Sequence, residues 1–212
     1  MKIISVMGAC LILALMGNAQ TSIPGVFSTG VDDSGNLLSA GQTDPHWTIS
    51  SSPDGAMPAL VTASLNRNWI ANTASSQWIN ATGLGDGTEP AGTYIYTLMF
   101  SLKGLNPSTA QIMGEWASDN QSEIFLNGIN TGISNGTNGF ASFALFSTAD
   151  DFVSGENELQ FYVTQDPPSG KEDPEGLQVN IFSATATPVP EPALSSLFAL
   201  SMLGMYISKR RH

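Results

Sequence analysis

The sequence predicts an all-β protein: a single antiparallel β-sandwich of jelly-roll type, with an N-terminal signal-peptide helix and a C-terminal hydrophobic helix at its two ends. Three observations carry this. Segments with apolar residues at every second position recur between residues 20 and 187. Clusters of Gly, Asn, Asp and Pro separate them at turn positions. No stretch in that range has the capped, three-to-four-residue apolar period of a surface helix. Composition agrees: only 12% of the 212 residues are charged and 21 are Gly, against a usual charged share of roughly a quarter. That suits an exported β-protein better than a helical cytosolic enzyme.

Residues 1–19 read as a secretory signal. Lys2 supplies the positive start, Ile3 to Met16 the short apolar run, and Gly17-Asn18-Ala19 the small residues of a cleavage site after Ala19. The run is too short for a membrane span, which needs about 20 residues. Cys10 is the only cysteine, so cleavage after Ala19 leaves no disulfide, no thiol catalysis and no Cys-based metal site.

The domain between, residues 20–187, is expected to hold eight to ten short strands. The clearest is residues 94–102. Tyr94, Tyr96, Leu98, Phe100 and Leu102 all fall on one side, and Ile95 and Met99 on the other side are not polar, so the strand is expected to be central. Weaker strand patterns are His46–Ser50, Ala59–Ser64, Gln111–Ala117, Glu123–Asn127, Gly139–Phe146, Asn157–Val163 and Leu177–Ala184. Asn127-Gly128 is a hairpin signal, because both residues tolerate positive φ. Gly155-Glu156-Asn157 reads as a second turn.

Charge narrows the partners. The domain carries three cations (Arg67, Lys103, Lys171) against 17 acids. Too few cations are present to neutralise phosphates, so nucleic acid is excluded as a partner. The acidic surface attracts divalent cations instead. Val31-Asp32-Asp33-Ser34-Gly35-Asn36 gathers oxygen ligands and a glycine in one loop. Asp32 and Asp33 are candidate calcium ligands, but the loop lacks a bidentate Glu at the twelfth position, and a plain Asx turn is the simpler reading of the same residues. No other cofactor is expected. His46 is the one histidine of the domain, which is too little for zinc, and no nucleophile elbow accompanies it. No catalytic residue is nominated. Asp32-Asp33, Asp150-Asp151 and Glu172-Asp173 are carboxylate pairs, but a glycosidase needs two acids facing across a cleft, which adjacency does not supply. Of the four tryptophans, Trp116 reads as core. Trp69 and Trp78 lie in a polar, Asn-rich stretch and are the candidate ligand-binding residues, since an exposed indole face suits a sugar ring.

The C-terminal end is a second address. Pro188-Val189-Pro190-Glu191-Pro192 is a stiff extended segment. Residues 193–207 form an apolar run, and Lys209, Arg210 and Arg211 follow it as a cytoplasmic stop signal. As a helix the run spans roughly 22 Å against a hydrocarbon core of about 30 Å, short for a permanent anchor. Val189-Pro190-Glu191-Pro192, an apolar helix and a terminal basic cluster resemble the PEP-CTERM sorting tail, a tail also labelled the ice-binding protein C-terminal domain. The resemblance covers residues 188–212. It implies a bacterial envelope protein processed near Pro190-Glu191-Pro192 by an exosortase-type membrane enzyme.

The domain itself resembles the galactose-binding-domain-like sandwich. The matching pieces are Asp44-Pro45-His46-Trp47, Ser76-Gln77-Trp78-Ile79, Ala117-Ser118-Asp119-Asn120 with Ile124-Phe125-Leu126-Asn127-Gly128, Gly155-Glu156-Asn157-Glu158-Leu159, and Gly176-Leu177. In that family sugar sites lie in loops at one end of the sandwich. The expected function is thus a non-enzymatic, exported protein of the cell envelope or extracellular matrix, anchored in the membrane before processing. Two alternatives stay open: a carbohydrate-binding module for extracellular polysaccharide, and a carboxylate-dependent hydrolase.

Overall fold

The computed structural model describes residues 19–85, 87, 89–166 and 174–190. The signal segment before Ala19 and the tail from Glu191 onward, with Pro192, Lys209, Arg210 and Arg211, lie outside the described residues, as does the pair Glu172-Asp173. Ala19 is the first described residue and is exposed.

Eleven strands follow in order: β1 (Thr21–Ser22), β2 (Thr43–Ser51), β3 (Met57–Val61), β4 (Ile79–Asn80), β5 (Gly92–Ser101), β6 (Gln111–Asp119), β7 (Gln121–Leu126), β8 (Ile129–Ser134), β9 (Ala144–Thr148), β10 (Glu156–Gln165) and β11 (Gly176–Ala186). All pairings between them are antiparallel. The only helical pieces among the described residues are single 3-10 turns at Pro107–Thr109 and Gly139–Ala141. Among those residues no helix is long and apolar enough to cross a membrane.

The hydrogen-bonded order is β8-β7-β10-β5-β2-β3-β4-β11-β6-β9, with β1 on β11. That path folds back on itself. Phe161 of β10 touches Trp47 of β2 at 5.8 Å, but also Trp116 of β6 at 6.2 Å and Phe146 of β9 at 5.8 Å, although β6 and β9 stand at the far end of the order. Two layers therefore face each other, joined through the short strands β3 and β4, and their inner side chains make one core. All five even-numbered residues from Tyr94 to Leu102 are in it. β5 lies between β10 and β2, the central place its two-sided apolar pattern predicts, and Met99 on the other face is 52% exposed.

The Asn127-Gly128 turn forms as expected. Both residues have positive φ, 53° and 77°, which matches the right-handed twist of the strands β7 and β8 that they join. Residues 139–146 depart from the expectation. Gly139–Ala141 is a 3-10 turn, and the strand begins only at Ala144. Phe140 and Phe143 are drawn onto Trp69, Trp78 and Ala117 instead, and burying those rings outweighs continuing the ladder.

The folded unit also runs two residues beyond the expected boundary at 187. Pro188 bridges Leu105, and the Val189 amide donates to the Gly104 carbonyl at 2.9 Å. The first residue of the Val189-Pro190-Glu191-Pro192 motif is thus held on the domain, and Pro190 is exposed.

Candidate functional site

The two tryptophans nominated for ligand binding do not present their faces. Trp69 is 6% exposed and Trp78 fully buried. Their rings stack on each other at 4.1 Å. Gly176 closes the stack: a Cβ there would fall 2.7 Å from Trp69 and 3.2 Å from Trp78. Both indole N–H groups are spent, Trp69 Nε1 on Asp119 Oδ2 at 2.7 Å and Trp78 Nε1 on the Ile70 carbonyl at 2.8 Å. This corrects the ligand-binding expectation for Trp69 and Trp78. The surrounding Asn-rich sequence satisfies the backbone around the pair and does not expose it, as when Asn72 accepts from the Trp78 amide. Trp116 is core, as expected, with its N–H donated to Ser122.

Asp32 makes the Asx turn. Its Oδ1 accepts from the amides of Ser34 and Asn36 at 2.8 and 2.9 Å, and its Oδ2 from the Asn36 side chain at 3.1 Å. The Asn36 amide, followed by the Asn36 side chain, holds its pKa below the ordinary value. Asp33 is 91% exposed and lies 3.6 Å from His46 Nε2. His46 stacks flat on Phe27 at 3.7 Å. Among the described residues no three acidic, His or Cys side chains gather as a metal site.

Near the Trp69–Trp78 pair sits a buried polar cluster. Glu175, wholly buried, accepts from the Ala81 amide at 2.8 Å and from the Tyr96 hydroxyl. Burial pushes its carboxyl up to about 8, and the nearby charges of Glu89 and Asp119 push the same way. Glu89 accepts from Asn80 and Thr82. Tyr96 and Tyr94 are likewise raised, first by burial and then by the Glu175 charge. This cluster belongs to the interior, with Glu175 tying Ala81, just after β4, to Tyr96 of β5.

An open concavity among the described residues lies elsewhere. It is a groove of about 650 Å³ lined by Thr93, Gln121, Ser122, Glu123, Ser134, Asn135, Gly136, Thr137, Tyr162 and Thr164. Cross-strand register builds its floor. Thr164 of β10 pairs with Thr93 and Gln121, and Tyr162 pairs with Ile95 and Glu123, so these side chains share the outer face of the β7–β10–β5 layer. Phe125 continues that face, its ring 4.1 Å from Tyr162. Asn135 fixes the wall by accepting from the Ser122 amide at 2.6 Å and donating to Ser118 at 2.8 Å. The result is a hydroxyl- and amide-lined hollow beside an aromatic pair, with one carboxylate, Glu123.

Sequence reasoning missed this site for a physical reason. Tyr162 and Phe125 sit at alternate positions of strands recognised by their inward residues, and which outer face is concave depends on β8, an edge strand without an apolar pattern. The signal present in the sequence was the aromatic at an outward position of each strand. A smaller hollow of about 140 Å³ holds Asp150 and Asp151 with Asn130, Thr131 and Ser147.

No family model matches the chain, and no curated protein matches it. Among solved structures it is similar to a family 35 carbohydrate-binding module from Paenibacillus barcinonensis, at 12% identity over 68% of this chain and 94% of that one, with a TM-score of 0.37. It is also similar to such a module of Cellvibrio japonicus Abf62, at 15% identity over 61% and 85%, with a TM-score of 0.32. A third, from an environmental isolate, has 9% identity over 68% and 98%, with a TM-score of 0.30. Likeness at this level assigns neither a family nor a ligand to the chain.

Proposed function

We propose that this is an exported, non-enzymatic bacterial protein of the cell envelope or extracellular matrix, delivered through its two terminal signals, whose jelly-roll domain holds polysaccharide in the groove on β5, β10 and β7. The observation that supports the binding role is the groove itself. Hydroxyls and amides line it, as they do sites that exchange hydrogen bonds with sugar hydroxyls, and the Phe125–Tyr162 pair offers apolar ring surface beside them. A hydrolase needs two acids across a cleft, and the lining of this one holds Glu123 alone.

The groove and Val189, the first residue of the sorting motif, lie at opposite ends of the domain. Thr93, Thr164 and Gln121 stand at one end of strands whose other end carries Leu102, Gly155 and the Val189 contact with Gly104. Ten residues of strand at about 3.3 Å each put roughly 30 Å between them. A domain tethered by residues 193–207 before processing would therefore turn the groove away from the membrane.

Retention of the full-length protein on insoluble polysaccharides tests the binding role. Binding to at least one, weakened about tenfold or more by Tyr162→Ala, is expected. Release from every polysaccharide tried would overturn it. The sorting role is read by mass spectrometry of the mature protein from its native host. Cleavage near Pro190-Glu191-Pro192, with membrane retention when those three residues become alanine, is expected, whereas an intact end at His212 in most molecules would leave the tail a plain anchor.

A further inference from the structure

The charge of the groove's setting carries a statement about its ligand. β5, β7, β8 and β10 contain no Lys or Arg. Their only charged residues are Glu123, Glu156 and Glu158. Glu123 is exposed in the groove and stands directly opposite Tyr162 across the strand pair. A carboxylate beside an aromatic face is a recognition unit for a cation: the carboxylate supplies the counter-charge and the ring its negative quadrupole face. An anion placed there meets like charge from Glu123, and nothing of opposite sign on the four strands offsets it.

We infer that the groove selects glycans bearing free amino groups, such as stretches of de-N-acetylated hexosamine, with Glu123 as counter-ion and the Tyr162 ring beside it. The inference rests on the polysaccharide-binding reading and names the class of sugar. The hydroxyls and amides of Thr93, Gln121, Thr137 and Thr164 serve the sugar hydroxyls that flank the amine. They separate such a glycan from a lysine-rich peptide, which would use the carboxylate and ring but leave these groups unpaired.

Calorimetry on the full-length protein at low salt tests this with four probes: glucosamine hexamer, its N-acetylated form, a uronate hexamer and a lysine hexapeptide. The free-amine hexamer is expected to bind about tenfold or more tighter than the N-acetylated one, to lose that advantage as salt is raised to about 0.5 M, and to lose it in Glu123→Gln, which removes the charge at an exposed position without a packing change. The uronate is expected not to bind. Equal affinity for the amine and N-acetyl forms, or an unchanged preference in Glu123→Gln, overturns the charge selection while leaving polysaccharide binding standing. Binding of the peptide as tightly as the amine glycan overturns the sugar part. Failure of every glycan here overturns this inference, while the parent reading stands or falls separately with retention on the wider set of polysaccharides.

Discussion

Two regions of this domain are built from the same kinds of side chain and do opposite things. Around Trp69, Trp78, Asp119 and Glu175, aromatic rings and carboxylates meet, but each ring face is covered by the other ring, by Phe140 and Phe143 or by Gly176, and the indole N–H groups are spent inside the protein. Around Tyr162, Phe125 and Glu123 the rings lie on an outer strand face and the carboxylate meets solvent. Aromatic and acidic residues therefore do not mark a binding site by type. What separates the regions is whether the partner of each group is another part of the chain.

The widest separation should come from deleting one ring in each region. Trp78→Ala removes a fully buried side chain and leaves Trp69 without its stack. Such truncations cost about 3–5 kcal/mol, which for a domain of this size lowers the melting temperature on the order of 10 °C. Tyr162→Ala, on a half-buried outer face, should cost far less stability while removing glycan retention. Thermal melts of both variants, run beside the binding assay, check the contrast. A Trp78→Ala protein that melts with the parent would mean the pair is not the interior element described.

The buried acid gives the next effect. Folded protein keeps a proton on Glu175 up to about pH 8, whereas the unfolded chain releases it near 4.5. Because the native state binds the extra proton, the stability contribution is complete below about pH 4.5 and is lost progressively as pH rises toward 8. Glu175→Gln keeps an acceptor for the Ala81 amide and has no proton to lose. The variant should gain on the parent by a few kcal/mol between pH 5 and pH 8, with the two converging at the acid end. Denaturant melts across that range check it, and parallel pH profiles would show that Glu175 is not the titrating group.

How much of this was legible in the chain follows from what each residue faces. β5 could be read because its even-numbered residues meet the core and its odd-numbered ones a flanked outer face. The Asn127-Gly128 turn could be read because the φ requirement is local. β8 could not, because Ile129–Ser134 is an edge strand whose side chains are mostly exposed, so no apolar alternation marks it. The pieces that carry the resemblance to the galactose-binding-domain-like sandwich turn out to be internal clamps. Asp44 accepts from the amides of Gly30, His46 and Trp47, Gln77 donates to the carbonyls of Gly30 and Leu38, and Asn157 ties Asn127 to Val153. Such residues specify a fold and leave the ligand open. The groove needed the register between β7, β10 and β5, a long-range quantity that no local pattern encodes.

The smallest expected effect concerns the acidic loop, where the same comparison applies. A loop that binds calcium leaves carboxylate oxygens free for the ion. In the Asp32 loop, one oxygen already accepts two backbone amides and the other the Asn36 side chain, so the carboxylate closes its own turn. Asp33 projects into solvent, with His46 Nε2 3.6 Å away. Added salt should still raise the melting temperature slightly, because 17 acids against three cations repel one another and mobile ions screen that repulsion. Calcium and sodium chloride at matched ionic strength should then give the same shift, in the parent and in Asp33→Asn alike. A calcium shift clearly above the sodium one, abolished by Asp33→Asn, would show that the ion draws the loop into a coordinating form and would move Asp32 and Asp33 from the self-satisfied region of the molecule to the ligand-facing one.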